Sequence, residues 1–88
     1  MSYTGIYDKT IYYDPVSKYS VISVKTSDQS IPKQARSSYT HRDRLIRFTA
    51  VGYELPQTDK VSMILDGEWQ NGKYGQQLKV ETCEEIVP

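Results

Sequence analysis

No stretch of this 88-residue sequence carries an apolar pattern of helical period over three turns, so a mainly helical fold is excluded. The sequence instead contains five runs rich in residues that favour a pleated surface. Segments containing Pro, Asp, Asn or Gly, which are typical of turns, separate most of these runs. The five runs cover residues 4–14, 19–27, 44–55, 61–69 and 76–87. This pattern predicts an all-β domain.

Five short strands without a long helix favour a small closed barrel over an open sheet, because closure removes exposed strand edges. The first two runs flank "DPVSK", a turn signal. Pro fixes its own φ, and the Asp side chain can accept a hydrogen bond from the backbone N–H two residues later. We therefore expect a β-hairpin over Ile6 to Thr26. The predicted fold is a five-stranded Greek-key barrel, the OB-fold. A simple sandwich or an SH3-like barrel is the alternative that the strand count leaves open.

Alternation along the later runs predicts which side chains form the core. Phe48 and Ala50 share one face of the third run, and Leu78 and Val80 share one face of the fifth. We expect these faces to point inward. In the first run Tyr7, Tyr12 and Tyr13 do not alternate cleanly, and we expect at least one of them in the core.

The segment from residue 27 to residue 44 is polar and has no clear periodicity. It is predicted as a long polar and basic loop, in which a short helical turn can follow Pro32. The net charge of the whole chain is zero, which excludes a globally basic nucleic-acid binder but leaves room for a local basic patch. Residues 33–47 contain one acid, Asp43, and five cations: Lys33, Arg36, Arg42, Arg44 and Arg47.

The residues that an independent enzyme would need are not found. His41 is the single histidine and has no second His or Cys at the spacing of metal ligands. Cys83 is the single cysteine, so no internal disulfide can form, and its neighbours do not indicate a nucleophile. The glycines do not form a phosphate-binding loop. We therefore expect no catalytic residue, no metal and no cofactor in this chain.

Length and composition predict one small domain with one thin core over residues 1–88. No apolar run is long enough to span a bilayer, and the first residues do not have the pattern of a signal peptide. A single cysteine suits a reducing compartment. The sequence therefore predicts a cytoplasmic protein without a membrane segment.

Aromatic residues and lysines near two predicted loops indicate a surface for single-stranded nucleic acid. Barrels of this kind combine aromatic faces with cations in a groove beside the second and third strands, between the loops joining strands 1–2 and 4–5. Those loops are "DPVSK" and "QNGKYGQ". Lys73 and Tyr74 are the best candidates, because loop tips are solvated. Packing at a barrel end is an equal alternative for Trp69. The full candidate set is Lys18, Tyr19, Arg47, Trp69, Lys73, Tyr74 and Lys79.

Three segments, in order, resemble the N-terminal region of RecD-like DNA helicases of the long bacterial form, which are similar to the exodeoxyribonuclease V alpha subunit. The family shows Gly-x-Trp, then Lys-Tyr-Gly-x-Gln, then Val-Glu, as in "GEWQNGKYGQQLKVETCEE". "GIYDKTIYYDPVSKYSVISV" is similar to its opening hairpin, and "FTAVGYELP" to the stretch before its fourth strand. The chain departs from the family at Asp59 and Lys60, where Gly is frequent, and at Leu78, where Phe is usual.

The resemblance implies an accessory OB-fold domain at the N-terminus of an ATP-dependent 5′–3′ helicase in DNA repair. It implies a longer protein, with the motor downstream of these residues and no catalytic residue in this domain. The implied partners are single-stranded DNA and the downstream helicase domains. The alternative is a non-catalytic interaction module that docks on the motor or another partner, which the zero net charge and the acidic C-terminal half favour.

Overall fold

The computed structural model describes residues 2–37, 42–73 and 75–86, which form a closed five-stranded barrel. The order around the barrel is β1-β2-β3-β5-β4. The predicted all-β barrel is therefore confirmed, and the sandwich is excluded. The strands are β1 (Ser2–Tyr13), β2 (Tyr19–Thr26), β3 (Ile46–Tyr53), β4 (Ser62–Gly72) and β5 (Gly75–Ile86).

Three local pairings and two distant ones build the barrel. β1 with β2, β2 with β3, and β4 with β5 are antiparallel neighbours in sequence. The barrel closes where β1 meets β4 in antiparallel fashion and where β3 meets β5 in parallel. The parallel contact is short, because it joins only Thr49–Val51 to Gln77–Lys79. The first half of β5 is thereby brought beside β3.

β1 serves two neighbours because it bends. Its first residues pair with β4, whereas the rest of the strand, from Ile6, pairs with β2. The β1–β2 register shifts at Asp8 and at Ile11, each an extra residue on β1. Such bulges bend a strand and increase its twist. They also explain the irregular tyrosines: Tyr7 packs against the core, while Tyr12 is exposed.

The core lies between the strands and contains the predicted inward faces of β3 and β5. Phe48, Ala50 and Leu78 are fully or almost fully buried, and Val80 packs against them at partial burial. Burying such side chains supplies the main driving force for folding. The buried cluster consists of Tyr3, Ile22, Val24, Ile31, Ala35, Phe48, Ala50, Leu55, Met63, Leu65 and Leu78.

The polar segment between β2 and β3 contributes to this core. A 3-10 helix at Lys33–Ala35 follows Pro32, as the sequence predicted, and it buries Ala35. Ile31 is also buried. Arg36 holds the turn, since its guanidinium donates to the backbone oxygens of Ile31 at 3.0 Å and Gln29 at 2.9 Å. The structure thus anchors part of a segment predicted as loop. His41 lies outside the described residues.

The β4–β5 hairpin is tighter than the sequence predicted. β4 continues past Trp69 to Gly72, which pairs with Gly75 at the start of β5. Only residues 73 and 74 connect the two strands. Gly75 has a φ of 92°, which favours glycine because it has no Cβ. Lys73 is therefore fixed at the tip of a short, well-paired hairpin.

Candidate nucleic-acid interface

A groove on the outside of the barrel brings together two of the predicted loops. It has a cavity volume of about 460 Å³, within the range of small-molecule sites. Tyr19, at the start of β2, and Lys73, at the tip of the β4–β5 hairpin, lie on its walls as the sequence suggested. Its lining residues are Tyr12, Tyr19, Val21, Lys73 and Gln77.

Aromatic rings form one wall of this groove and extend beyond it. The Tyr19 and Tyr53 rings meet edge to face, with centroids 5.4 Å apart. Strand pairing fixes this contact, since Tyr19 lies directly opposite Tyr53 in the β2–β3 ladder. Tyr12 is 49% exposed and Tyr53 is 68% exposed, so both offer free ring surface. Half-exposed tyrosines of this kind can stack on bases.

The turn between β1 and β2 holds Lys18 at the same end of the barrel. The carboxylate of Asp14 accepts from the Val16 backbone N–H at 2.9 Å, which is the Asx turn that the sequence predicted. This hydrogen bond lowers the pKa of Asp14. Lys18 takes a φ of 67°, and its carbonyl accepts from the Glu54 N–H at 2.9 Å. The turn is thereby tied to the end of β3, and the side chain of Lys18 is exposed.

Arg47 does not line this groove. It is 8% exposed and lies in a second cleft beside the 3-10 helix. Its guanidinium donates two hydrogen bonds of 2.8 Å to Asp43, and its Nε lies 3.4 Å from Asp8. The hydrogen bonds that Arg47 donates to Asp43 raise the pKa of Arg47 more than any other interaction does. The β1 bulge supplies Asp8, so the cation that the sequence offered for phosphate is neutralised by two acids.

Asp43→Asn is expected to weaken this ion pair and lower the free energy of unfolding by about 1 kcal/mol. The value is modest because the Asp43 side chain is 40% exposed, although Arg47 itself is buried. Urea unfolding measures it. Asp59→Asn, in an exposed turn, is the matched control and should change stability by less than half as much. Equal effects from the two variants would contradict a structural role for the pair.

Trp69 of β4 packs against the hydrophobic core and does not line the groove. Its indole N–H donates to the Tyr3 hydroxyl at 2.8 Å. Its ring meets Tyr3 and Phe48 edge to face, with centroids 5.3 Å and 5.5 Å away. Of the two alternatives that the sequence left open for Trp69, these contacts match barrel packing. The neighbouring Gly67 lies against the backbone of Lys79, where a Cβ would come within 2.0 Å of the carbonyl oxygen.

Lys79 is exposed on β5, two residues beyond Gln77, and does not line the groove. It lies directly opposite Glu68 of β4, so a negative charge lies beside this cation. Tyr74 lies outside the described residues. Of the candidate set, therefore, Tyr19 and Lys73 line the groove, Lys18 lies on the adjoining turn, and Arg47, Trp69 and Lys79 lie elsewhere.

Charge is divided along β5. Glu81, Glu84 and Glu85 occupy its second half, far from the hairpin tip, where the strand pairs with the start of β4. Within the described part of the chain, no carboxylate lines the groove. A phosphate in the groove therefore lies away from these three glutamates, although the acids Asp14 and Glu54 adjoin Lys18 at this end of the barrel.

Sequence reasoning missed Tyr12 and Gln77 as groove residues. Tyr12 comes from β1 and lies opposite Val21 only after the two bulges have shifted the register. Gln77 reaches the groove through the parallel pairing of β5 with β3. Neither feature has a local signal, although Gln77 does stand in the Lys-Tyr-Gly-x-Gln pattern.

Metal-ligating side chains do not cluster in residues 2–37, 42–73 and 75–86. No group of three or more His, Cys, Asp or Glu side chains there could hold a metal ion. Burial, and secondarily the charge of Glu85, raises the pKa of the Cys83 thiol, which opposes formation of the reactive thiolate. No helix in this part of the chain has the length and apolar character needed to cross a membrane.

Comparison with known proteins gives one family. No curated protein and no solved structure matches the chain. The model of one protein family, described as the OB-fold domain of the ATP-dependent DNA helicase YrrC, matches residues 1–88. This match covers all five strands and agrees with the closed barrel, with the predicted OB-fold and with the predicted helicase family. The chain therefore belongs to the family of OB-fold domains found in YrrC helicases.

Proposed function

We propose that this domain is an accessory domain of a RecD-like 5′–3′ DNA helicase and that its groove contacts single-stranded DNA. The observation that carries the proposal is the meeting of Tyr12, Tyr19 and Lys73 around one cavity at the end of the barrel. Family membership supplies the helicase context. Other domains of the same protein would contribute the motor. We place this helicase in the cytoplasm and assign it to DNA repair.

The aromatic wall supports stacking of unpaired bases. A base stacked on an aromatic side chain contributes about 1–3 kcal/mol to binding, with little dependence on base identity. Tyr19 is held by Tyr53, so its ring is oriented before a ligand arrives. Pre-orientation reduces the entropic cost of binding.

Few cations at this end of the barrel contribute to binding, so binding by the isolated domain is weak. Lys73 lines the groove and Lys18 is exposed on the adjoining turn, and Arg47 lies in the second cleft, bound by Asp43 and Asp8. With two phosphate contacts, the logarithm of the affinity should fall with the logarithm of salt concentration with a slope of about −1.4. Strong binding at physiological salt is not expected from this domain alone.

Fluorescence anisotropy with a labelled 12-mer of single-stranded DNA tests the proposal. We expect saturable binding at low salt that weakens as salt is added. Tyr19→Ala should weaken binding by at least about fivefold through loss of stacking, whereas Tyr19→Phe should retain it. Lys73→Ala should reduce the salt slope by about 0.7, the value for one phosphate on a single strand.

Lys60→Ala is the matched control for charge, because Lys60 is exposed in the turn before β4 and does not line the groove. It should leave both the affinity and the salt slope at the wild-type values. Absence of binding at low salt and high protein concentration would contradict the proposal. A partner of the acidic half of β5 would then be sought among the remaining helicase domains by pull-down with Glu84→Lys as the comparison variant.

A further inference from the structure

Gln77 is an unusual residue for the wall of a groove. Its side chain is 6% exposed, yet its Oε1 is buried without a hydrogen-bond partner in the described part of the chain. Buried polar atoms almost always have a partner, and an exception requires an explanation. An acceptor kept unpaired beside an aromatic wall is explained by a ligand that brings the missing donor.

Strand pairing holds the backbone of Gln77 in place. β5 is fixed on both sides at this point, since Gln77 pairs with Thr49 on β3 and with Gln70 on β4. Gly72, near the hairpin tip, makes room for the amide. A Cβ at Gly72 would lie 2.4 Å from Nε2, 2.5 Å from Cδ and 2.7 Å from Oε1 of Gln77. The carboxamide therefore rests over Gly72, and any larger side chain at that position would displace the carboxamide.

We infer that Gln77 reads the edge of a base in this groove and that the groove prefers adenine. The inference rests on the proposed function, because it requires a strand to enter the groove. A glutamine carboxamide pairs with adenine through two hydrogen bonds, accepting from the N6 amine at Oε1 and donating from Nε2 to a ring nitrogen. To form this pair the carboxamide turns away from Gly72 toward the groove, since its Oε1 is buried in the unliganded domain.

The aromatic wall accepts adenine as it accepts other bases. Every base has a π-face that can stack on Tyr12 and Tyr19, so this contact adds affinity and the edge contact of Gln77 supplies the preference. Lys73, across the groove, is placed to contact the backbone of the same nucleotide or its neighbour. Stacking, edge recognition and phosphate contact are thus supplied by different residues, and each can be removed separately.

The test compares two labelled 12-mers that differ only at their purines. One contains adenine, and the other contains the same purine ring without the 6-amino group. The wild-type domain should bind the adenine strand at least about fivefold more tightly, as one bidentate base contact implies. Gln77→Met, which keeps the length of the side chain, should bind both strands equally and should bind the strand without amines as well as wild type does.

Gly72→Ala provides an independent variant. Its Cβ displaces only the flexible end of Gln77, so the fold should be retained while the base preference is lost. Gln76→Met is the matched control, since Gln76 also has a buried, unpaired Oε1 but faces the second cleft. It should keep the full preference for adenine. Thermal unfolding of each variant confirms that the domain remains folded.

The outcomes separate the two proposals. Equal binding of both strands by the wild-type domain would overturn base reading by Gln77 and leave DNA binding in the groove intact. A preference that survives in both Gln77→Met and Gly72→Ala would overturn the assignment as well. Failure of either strand to bind would overturn the proposed function and this inference together.

Discussion

Trp69→Ala is expected to lower the free energy of unfolding by about 3 kcal/mol. The indole packs edge to face on Tyr3 and Phe48 and donates to the Tyr3 hydroxyl, so its loss removes both packing and a hydrogen bond. A domain of this length has a total stability of roughly 4–13 kcal/mol. Urea or thermal unfolding, followed by circular dichroism, would show the loss directly.

Trp69→Phe is the matched control, because it keeps an aromatic ring and removes the indole donor. We expect it to cost about 1–1.5 kcal/mol, close to the contribution of one hydrogen bond with some lost packing. Binding of single-stranded DNA by this variant should stay within about twofold of wild type, since only stacking in the groove would change it further. A tenfold loss of binding with unchanged stability would contradict the structural role and restore Trp69 as a base-stacking residue.

Gly67→Ala is expected to destabilise the barrel by about 3 kcal/mol, at the upper end for inserting a methyl group into a packed site. A Cβ at this position would lie 2.0 Å from the Lys79 carbonyl oxygen and 2.8 Å from its carbon. Both are backbone atoms of the paired strand, so neither can move without separating β4 from β5. The midpoint of thermal unfolding should fall by on the order of 15 °C.

The control for this variant is Gly52→Ala on β3. There the added Cβ would lie 3.3 Å from the Val80 Cβ and 3.4 Å from both the Leu55 Cδ2 and the Val80 carbonyl oxygen, contacts that a shift of a few tenths of an ångström relieves. We expect a change below about 1 kcal/mol. If the two alanine variants unfolded at the same temperature, the close approach at Gly67 would not be a structural requirement.

The reason for that close approach also shows where sequence reasoning ends. The β4–β5 register shifts between Asp66 and Gly67, which leaves Glu81 as an extra residue on β5. A bulge depends on both strands, so the glycine can be read from the sequence but its partner cannot. The strands themselves were predictable, since alternation and turn residues are local signals.

The candidate site was predictable to the same extent. Tyr19 and Lys73 could be predicted because barrels of this kind bind nucleic acid at a known place on the fold. Arg47 was misplaced because its burial between a nearby acid, Asp43, and a distant one, Asp8, depends on the β1 bulge and has no local signal. Ile31 was missed because a single buried side chain in a polar segment produces no periodicity.

The short parallel contact between β3 and β5 ties the groove to the integrity of the barrel. Tyr12, Tyr19 and Val21 belong to the β1–β2–β3 part of the chain, whereas Lys73 and Gln77 belong to the β4–β5 hairpin. A ligand that touches both walls binds the closed barrel and not the opened one, so its concentration enters the folding equilibrium by mass action. At a hundred times its Kd it would add about 2.7 kcal/mol to the stability of the domain. Filling the groove and keeping the two halves of the chain together are therefore a single linked equilibrium.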